Sequence, residues 1–321
     1  MINIGILGCA DIAERMVIPE ILQLSDLFNI LGISSRSKEK GIIFANKFNI
    51  NFVNSYQELI DSSIDAIYIP LPNSLHAEWI EKALNNNIHV LVEKPLACSY
   101  SDVINLNNIA KSKNLALVEN FQFRFHSQLD FITNVLNSGE IGELRSVSSS
   151  FGFPPLIDKK NIRYQADLGG GSLFDVGSYP LKLSQIILGN NIEVIASNLN
   201  FDFNKGVDIW GGAVVKQIEG GVLGHLSFGF DNFYQCSIEL WGSKGKLSTN
   251  RIFTAPKDLS PSIHIENSNG SRTEVILPDN HFKNMLQHFY EVIKNKNKKN
   301  EEYDQNINQA RLISELSNYA K

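Results

Sequence analysis

The chain has 321 residues, of which 43% are hydrophobic and 20% charged, and its formal net charge is -5. This length corresponds to about two average domains, and the composition is that of a globular protein rather than a disordered or fibrous one. No apolar run approaches the roughly 20 residues of a membrane span, and the negative charge argues against nucleic acid as the main partner. We therefore expect a small-molecule ligand.

The cysteines Cys9, Cys98 and Cys236 are too few and too widely spaced for a disulfide framework or a cysteine-based zinc site. The dispersed histidines lack the spacing of a zinc site as well. The apolar N-terminus has no charged leading segment and is followed by Asp11 and Glu14, so we do not expect a signal peptide. These features predict a cytoplasmic protein without a metal.

The first 120 residues alternate short apolar runs with amphipathic stretches, which is the pattern of parallel strands joined by helices. The predicted strands are 2–7, 30–34, 66–69, 90–92 and 115–118. The predicted helices lie near 11–24, 37–48, 75–86 and 101–113. We therefore predict a doubly wound α/β domain over residues 1–120.

From about residue 144 the chain shows long runs with a period of two, such as LRSVSSSFGF and IEVIASNLNF. This alternation and the glycine-containing turns indicate a mostly antiparallel sheet. Helices are predicted to begin near Ser172, to span about 280–294 and to span about 304–320. The second predicted domain is 121–321, and its last helix is a candidate to pack back on the first domain.

The basic stretch from Lys294 to Lys299 lies between the last two predicted helices. A positive run can contact a polyanion, but this one is short and Glu301 and Glu302 follow it at once. We therefore predict a solvated loop there.

The first predicted strand leads into Gly8-Cys9-Ala10-Asp11-Ile12-Ala13, a G-x-A-x-x-A version of the dinucleotide fingerprint. Small residues let the backbone turn tightly and approach a pyrophosphate at the N-terminus of the next helix. The predicted cofactor-binding residues here are Gly8, Cys9, Ala10, Asp11 and Ile12. The alternative is a purely structural strand-to-helix turn.

The end of the second predicted strand discriminates between dinucleotides. NAD enzymes usually carry an acid there, whereas this chain has Ser34-Ser35-Arg36-Ser37-Lys38. Arg36 can stack on adenine or pair with a 2′-phosphate, and Ser35 and Ser37 can donate to its oxygens. We therefore predict NADP(H) as the cofactor. The alternative is that Arg36 and Lys38 form only a solvated first helical turn.

Ligands of open parallel sheets bind outside the carboxyl ends of the strands. Two such ends carry the segments PLPNSLH (70–76) and EKP (93–95). Desolvation in a cofactor crevice would lower the pKa of a lysine such as Lys94 from about 10.4 toward the range useful for proton transfer. The alternative is a structural ion pair with Glu93 or another acid. Further candidate cofactor-binding residues are Leu71, Pro72, Asn73, His76, Glu93, Lys94 and Asn120.

A third motif is GGGSLFDVGSYP, from Gly169 to Pro180. Three glycines open a helix, so we expect accessible backbone amides at its start. Asp175 and Tyr179 are four apart and should share a face, although Pro180 should kink the helix. A carboxylate and a phenol on one face can hold a sugar hydroxyl or carbonyl and move a proton. The alternative is a buried aspartate that satisfies the loop amides, with a packed tyrosine.

Together these motifs resemble the glucose-fructose oxidoreductase and inositol dehydrogenase family (Gfo/Idh/MocA) over essentially the whole chain. The matching motifs are the N-terminal glycine loop, PLPNSLH, EKP and GGGSLFD, in that order. The resemblance implies an N-terminal Rossmann domain and a C-terminal substrate domain, hence an α/β plus α+β fold with a mostly antiparallel open sheet in the second domain. It also implies that Lys94 acts at the carbonyl or hydroxyl being interconverted.

Tyr179 stands where many family members have histidine. The stretches LGCADIA, YIPLPNSLHAEWI, VEKPL and IRYQADLGGGSLFDVGSYP are most similar to the NADPH-dependent nucleotide-sugar 3-ketoreductases of deoxysugar biosynthesis. That resemblance implies a dTDP-linked 3-keto-6-deoxyhexose as substrate. An NADP-dependent dehydrogenase of free sugars or dihydrodiols is the alternative within the family, and a non-catalytic NADP-binding sensor is the alternative outside enzymes.

The resemblance also implies residue roles. Lys94 would give a proton to the developing alkoxide, Tyr179 would orient the sugar or relay the proton, and Asp175 would hold the substrate or Lys94. Arg163 is a candidate for both nicotinamide and the sugar diphosphate. The candidate substrate-binding residues are Lys94, Arg163, Tyr164, Gly171, Asp175 and Tyr179. An exposed face of the second sheet would pair with a copy of itself, which predicts a homodimer or homotetramer.

Overall fold

A computed structural model describes residues 1–158 and 160–320, which form two compact units. The first unit comprises Met1–Asn120 and Phe282–Ala310, and the second comprises Phe121–His281 and the chain from Arg311 on. Within these described ranges no helix is long and apolar enough to cross a membrane.

The first unit is built on a parallel sheet of six strands. They are β1 (Ile2–Leu7), β2 (Phe28–Ser34), β3 (Phe52–Val53), β4 (Ala66–Ile69), β5 (His89–Glu93) and β6 (Leu117–Asn120). The strand order is β3-β2-β1-β4-β5-β6, so the direction of winding reverses between β1 and β4. Doubly wound sheets bind dinucleotides at such a reversal. The inner strands β4 and β5 are apolar on both faces because helices cover both sides of the sheet.

Helices connect these strands. They are α1 (Ile18–Gln23), α2 (Lys38–Phe48), α3 (Tyr56–Ile60), α4 (His76–Asn85) and α5 (Tyr100–Ser112). A π-helical turn, Ala13–Val17, precedes α1, and Pro19 lies in the first turn of α1, where a residue without an N–H is tolerated.

The second unit is built on an eight-stranded sheet. The strands are β7 (Leu144–Gly152), β8 (Ile192–Asp202), β9 (Val207–Gln217), β10 (Leu223–Gly229), β11 (Gln235–Gly242), β12 (Gly245–Asn250), β13 (Ser262–Asn267) and β14 (Gly270–Val275). Their order is β14-β13-β12-β11-β7-β10-β9-β8, and every neighbouring pair is antiparallel except the parallel pair β7 and β10. The predicted fold class is confirmed.

Two helices of the second unit, α6 (Ser127–Ser138) and α7 (Ser178–Leu188), contribute buried apolar residues to the same core as this sheet. A π-helical turn, Leu173–Gly177, leads into α7. Pro180, which was expected to kink the helix, lies in the first turn of α7, directly after the π-helical turn.

The last helices, α8 (His281–Lys294) and α9 (Lys296–Tyr319), carry residues of both units. Phe289 stacks on Phe28 with ring centroids 6.4 Å apart, and Asn306 Nδ2 donates to the Leu117 carbonyl at 3.0 Å. These contacts explain why residues 282–310 belong to the first unit, so that the second predicted domain, 121–321, is interrupted.

Residues 294–299 are mostly exposed, as predicted, but apart from Asn295 they are helical and do not form a loop. Helix α9 begins at Lys296, and Lys299 is 5% exposed. Its Nζ lies 3.3 Å from Asn114 Oδ1, to which it donates. The buried residues in the first part of α9 are mostly polar, with Lys299, Glu302 and Asn306 beside Tyr303, so apolar periodicity could not locate where the helix begins.

Two histidines make the folded state sensitive to acid. Burial, with repulsion from Lys299, lowers the pKa of His89 to about 4, and burial with the nearby His126 lowers that of His281 to about 4. His89 Nδ1 accepts the Ala116 N–H at 2.9 Å, a bond that protonation would break. Below pH 6.5 these histidines are protonated in the unfolded chain but stay neutral in the folded chain. The free energy of unfolding therefore decreases as the pH falls toward 4.

We expect His89→Asn to reduce this acid sensitivity, because a carboxamide oxygen can accept the same hydrogen bond without titrating. The free energy of unfolding should depend less on pH between 7.5 and 5 than in the wild type, by up to about 2 kcal/mol. Urea unfolding at the two pH values measures it. The exposed His225 provides the control variant His225→Asn, and equal acid sensitivity in all three proteins would contradict the assignment.

Candidate active site

The turn after β1 contains Gly8, which has no side chain to cover the backbone. Gly8 has φ 123°, and a Cβ there would approach Leu71 Cδ2 to 2.8 Å. Its N–H donates to the Ser34 carbonyl at 2.9 Å, which fixes the turn against the end of β2. Cys9 is buried, and burial raises the pKa of its thiol, so it is a small neutral residue at physiological pH. This turn fits a dinucleotide pyrophosphate, because only a side-chain-free backbone can come close to it.

The predicted 2′-phosphate-binding residues at the end of β2 differ in their surroundings. Arg36 is exposed and Ser35 is half-buried. The Ser37 hydroxyl, by contrast, caps α2: its Oγ accepts the Lys40 N–H at 3.2 Å and donates to Glu39 Oε2 at 3.1 Å. The prediction that Ser37 donates to a phosphate is therefore corrected, since the first turn of α2 already uses its hydroxyl.

His76 joins the PLPNSLH and EKP segments. It is fully buried, with Nδ1 2.7 Å from the Pro95 carbonyl oxygen and Nε2 2.8 Å from that of Leu71. Because both ring nitrogens face backbone oxygens, His76 supports the two turns and presents no atom to a ligand, which corrects its assignment as a cofactor contact. Lys94 is half-buried directly after β5, and the Lys94–Pro95 bond is cis.

Glu93 organises the side chains at the ends of β4, β5 and β6. Its Oε1 accepts the Tyr68 hydroxyl at 2.6 Å and the Asn120 amide at 2.7 Å. Burial raises the pKa of Glu93, while these bonds oppose the rise. Asn120 Oδ1 is buried and has no hydrogen-bond partner within the described part of the chain. A carboxamide N–H of a nicotinamide is the kind of donor that this oxygen fits.

In the second unit, Arg163 and Asp175 form an ion pair, with Nε 2.5 Å from Oδ2. The pKa of Arg163 is raised chiefly by Asp175 and further by Tyr179 and Tyr164. That Asp175 and Tyr179 share a face stays a prediction from their spacing. The carboxylate neutralises Arg163, so it serves to position groups rather than to accept a proton.

Tyr164 is buried, and its role as a substrate contact stays a prediction. Its hydroxyl accepts the Leu156 N–H at 3.1 Å, and its ring packs edge-on against Phe230. Tyr164 thus shapes the loop that holds Arg163.

The glycine run does not present free amides, and that expectation is wrong. The N–H groups of Gly169, Gly170 and Gly171 donate to the carbonyls of Ala166, Gln165 and Arg163 at 3.1, 2.9 and 2.9 Å. Gly171 is itself buried, and its assignment as a substrate contact stays a prediction. The run is glycine because a Cβ on Gly170 would lie 2.6 Å from the Arg163 carbonyl oxygen.

The sequence analysis missed Asp208, the first-turn acceptor of the helix that carries Asp175 and Tyr179. Asp208 lies in β9, and its buried Oδ2 accepts both the Ser172 hydroxyl and the Leu173 N–H at 2.6 Å. A Cβ on Gly171 would meet Oδ1 at 2.3 Å. The only sequence signal was an acid at the start of an otherwise apolar strand.

Tyr179 is 8% exposed, and its ring is enclosed by four phenylalanines. The centroid distances are 5.4, 5.7, 5.1 and 5.6 Å to Phe121, Phe123, Phe151 and Phe253. Three of these contacts are edge-to-face, the favourable geometry for aromatic pairs. The phenol is therefore held in one orientation.

Comparison with known proteins identifies the family to which the chain belongs. Residues 2–121 match the family model described as oxidoreductase family, NAD-binding Rossmann fold, and residues 131–248 match the Gfo/Idh/MocA C-terminal domain. The chain belongs to the Gfo/Idh/MocA oxidoreductase family. The family assignment made from the motifs is thereby confirmed.

Several members of the Gfo/Idh/MocA family resemble the chain over most of its length. A dTDP-3,4-didehydro-2,6-dideoxy-alpha-D-glucose 3-reductase from Saccharopolyspora spinosa is 41% identical over 86% of this chain and 82% of its own. The 3-ketoreductase KijD10 from Actinomadura kijaniata, solved with NADP and TDP-benzene, superposes with a TM-score of 0.94 at 34% identity, over 99% of this chain and 97% of its own. An NADP-dependent D-xylose 1-dehydrogenase from Haloferax volcanii is 30% identical over 90% of this chain and 88% of its own.

Proposed function

We propose that the chain is an NADPH-dependent reductase of the 3-keto group of a dTDP-linked 6-deoxyhexose. The observation that carries this proposal is the full-length similarity to a 3-ketoreductase that binds NADP and a TDP ligand. The lower identity to the xylose dehydrogenase makes the free-sugar activity the weaker alternative.

NADP(H) is held by the chain's own backbone and side chains. The bare turn at Gly8 receives the pyrophosphate, Arg36 pairs with the 2′-phosphate, and Asn120 Oδ1 accepts from the carboxamide. When bound, the cofactor supplies the hydride that reduces the sugar carbonyl.

The protein's part in the reaction is proton supply and orientation. Lys94 donates the proton to the oxygen on which negative charge develops, since a positioned ammonium both neutralises that charge and carries a proton. Tyr179 orients the sugar, because its ring is immobilised by the surrounding phenylalanines. Asp175 keeps Arg163 in place through their ion pair.

Binding experiments test the function. NADPH, NADH and dTDP are titrated calorimetrically, dTDP in the presence of the preferred cofactor, and NADPH oxidation is then followed with a 3-keto dTDP-sugar. We expect preference for NADPH, measurable dTDP binding, and turnover. If NADPH binds but dTDP does not, xylose, glucose and dihydrodiols become the substrates to assay, and the nucleotide-sugar proposal fails.

Arg36→Ala should remove the preference for NADPH. Losing one charge-assisted phosphate contact should raise the NADPH dissociation constant by about 10- to 100-fold and leave that of NADH unchanged. Lys47→Ala, which removes an exposed cation from the other end of α2, is the control. A preference for NADPH that survives Arg36→Ala would contradict the role of Arg36.

We further propose that the second sheet forms the interface of a homodimer or homotetramer. Ser148 of β7 is in register with His225 of β10 and Glu239 of β11, and all three side chains are exposed. On the same face, Trp241 is 63% exposed although tryptophan is rarely left in water. A flat, exposed sheet face with a tryptophan suits a self-complementary contact.

Trp241→Glu should break this interface, because it would replace the exposed aromatic ring of each copy with a carboxylate. The mass measured by light scattering should fall to that of one chain. Leu22→Glu, at a partly exposed leucine of α1, is the control and should leave the mass unchanged. A wild-type chain that is already monomeric would refute the proposal.

The three free cysteines agree with a reducing compartment. We propose the cytoplasm, where nicotinamide and sugar nucleotides are made.

A further inference from the structure

Arg251 has an unusual backbone for its residue type. Four non-glycine residues of the described chain have positive φ, and three of them are asparagines, which tolerate this conformation. The fourth is Arg251, with φ 62°. Non-glycine residues held in this region concentrate at ligand-binding sites, because surrounding contacts must compensate for the strain.

Hydrogen bonds to both the backbone and the side chain hold Arg251 in this conformation. Gln128 Nε2, from α6, donates to the Arg251 carbonyl at 3.3 Å and lies 3.4 Å from that of Ile252. Arg251 Nη1 donates to the Tyr234 hydroxyl at 2.7 Å, and the guanidinium carbon lies 4.6 Å from the centroid of the Tyr234 ring. The Tyr234 hydroxyl also lies 3.3 Å from Thr254 Oγ1. The arginine is thus fixed at both its backbone and its side chain.

Arg251 nevertheless keeps its charge uncompensated. The arginines 145, 163, 272 and 311 of the second unit each pair with a carboxylate. Among the described residues no carboxylate lies within ion-pair distance of Arg251. Burial raises the pKa of Tyr234, so the phenol stays neutral and supplies no counter-charge. An exposed guanidinium that is oriented by an aromatic ring and has unused N–H donors is suited to a phosphate.

The position of Arg251 connects it to the proposed reaction. It follows β12, and Tyr234 precedes the antiparallel neighbour β11, so both lie at the same end of the sheet. Two residues beyond Arg251, the ring of Phe253 packs on Tyr179 with centroids 5.6 Å apart. The glycine run cannot hold a diphosphate, because its amides already have acceptors. Arg163 is neutralised by Asp175.

We propose that Arg251, held on Tyr234, binds the diphosphate of the nucleotide-sugar substrate, an inference that rests on the proposed function. Arg251 then determines specificity: it selects a diphosphate-linked sugar over a free sugar, while the groups at the reacting carbonyl remain those of the family. Tyr234 is a positioning residue that aims the guanidinium.

The test compares thymidine, dTMP and dTDP, titrated calorimetrically into the NADPH-loaded protein. Arg251→Asn is the variant of choice because asparagine accepts the left-handed backbone, so the loop should keep its fold. We expect dTDP affinity to fall by about 10- to 100-fold and thymidine affinity to stay unchanged. Tyr234→Phe keeps the ring but not the hydroxyl and should cause a smaller loss. Arg145→Asn, at an exposed arginine paired with Glu143, is the matched control.

Kinetics with the 3-keto dTDP-sugar provide a second readout. KM should rise in Arg251→Asn while kcat is retained, because the variant leaves the reacting groups intact. Equal dTDP affinity in the wild type and Arg251→Asn would overturn the inference and leave the proposed function standing. An equal loss for thymidine and dTDP would overturn it too, since the contact would then be to the nucleoside. A wild-type protein that binds no dTDP would overturn both the proposed function and this inference.

Discussion

Lys94→Ala is expected to lower kcat for the 3-keto dTDP-sugar by about 10²- to 10⁴-fold, the range typical of a lost general acid. The dissociation constant of NADPH should change little, because the backbone turn at Gly8 and Arg36 provide most of its binding. Single-turnover measurement of NADPH oxidation at saturating substrate separates the chemical step from product release. Turnover within a few-fold of the wild type would refute Lys94 as the proton donor.

Lys94→Arg distinguishes proton donation from charge. Arginine keeps the positive charge but does not lose a proton at neutral pH. If Lys94 acts as an acid, this variant should be nearly as slow as Lys94→Ala. An active arginine variant would assign Lys94 an electrostatic role only. Lys82→Ala, at an exposed lysine paired with Glu78 on α4, controls for the loss of a cation elsewhere in the first unit.

The sequence predicted those parts of the fold whose signal is local. Strands β4 and β5 are apolar on both faces, so the ends that carry PLPNSLH and EKP could be located to within a residue or two. The two-residue strand β3 and the short helix α3 are too brief for periodicity to detect. The first part of helix α9 buries Glu302 and Asn306 through hydrogen bonds, so the apolar pattern indicated only the later part of this helix.

In the candidate site, too, the sequence predicts residues with a local signal and misses those that depend on tertiary contacts. Lys94, Tyr179 and Gly8 could be proposed from the sequence because their residue types and motif positions carry chemistry that the sequence displays directly. The loss of the glycine amides to local carbonyls could not be foreseen, since it depends on how the chain folds back from Arg163 to Gly171. Asp208 and Ser172 are 36 residues apart, and Arg251 and Tyr234 are 17 apart. Side chains that act through tertiary contacts of this kind leave no spacing rule in the chain.

The Asp208 carboxylate sets the position of the helix that carries Asp175 and Tyr179, so we expect Asp208→Ala to damage catalysis from outside the reacting groups. The change would leave the buried Ser172 hydroxyl and Leu173 N–H without their acceptor, at a cost of about 1 to 3 kcal/mol for each group. A shift of this helix by about 1 Å would lower kcat by up to about 100-fold. NADPH affinity should be unchanged, because the proposed cofactor contacts lie in the first unit.

Asp208→Asn separates positioning from folding. The amide oxygen can still accept from Ser172 and Leu173, so this variant should recover most of the stability and part of kcat. Burial raises the pKa of Asp208, so protonation of this carboxylate at low pH would weaken its hydrogen bonds from Ser172 and Leu173. We therefore expect kcat to fall less steeply at acid pH in Asp208→Asn than in the wild type. Asp202→Ala, at an aspartate that pairs with Lys205 at the end of β8, is the control. If Asp208→Ala retained kcat within twofold while remaining folded by circular dichroism, Tyr179 would not depend on this carboxylate for its position.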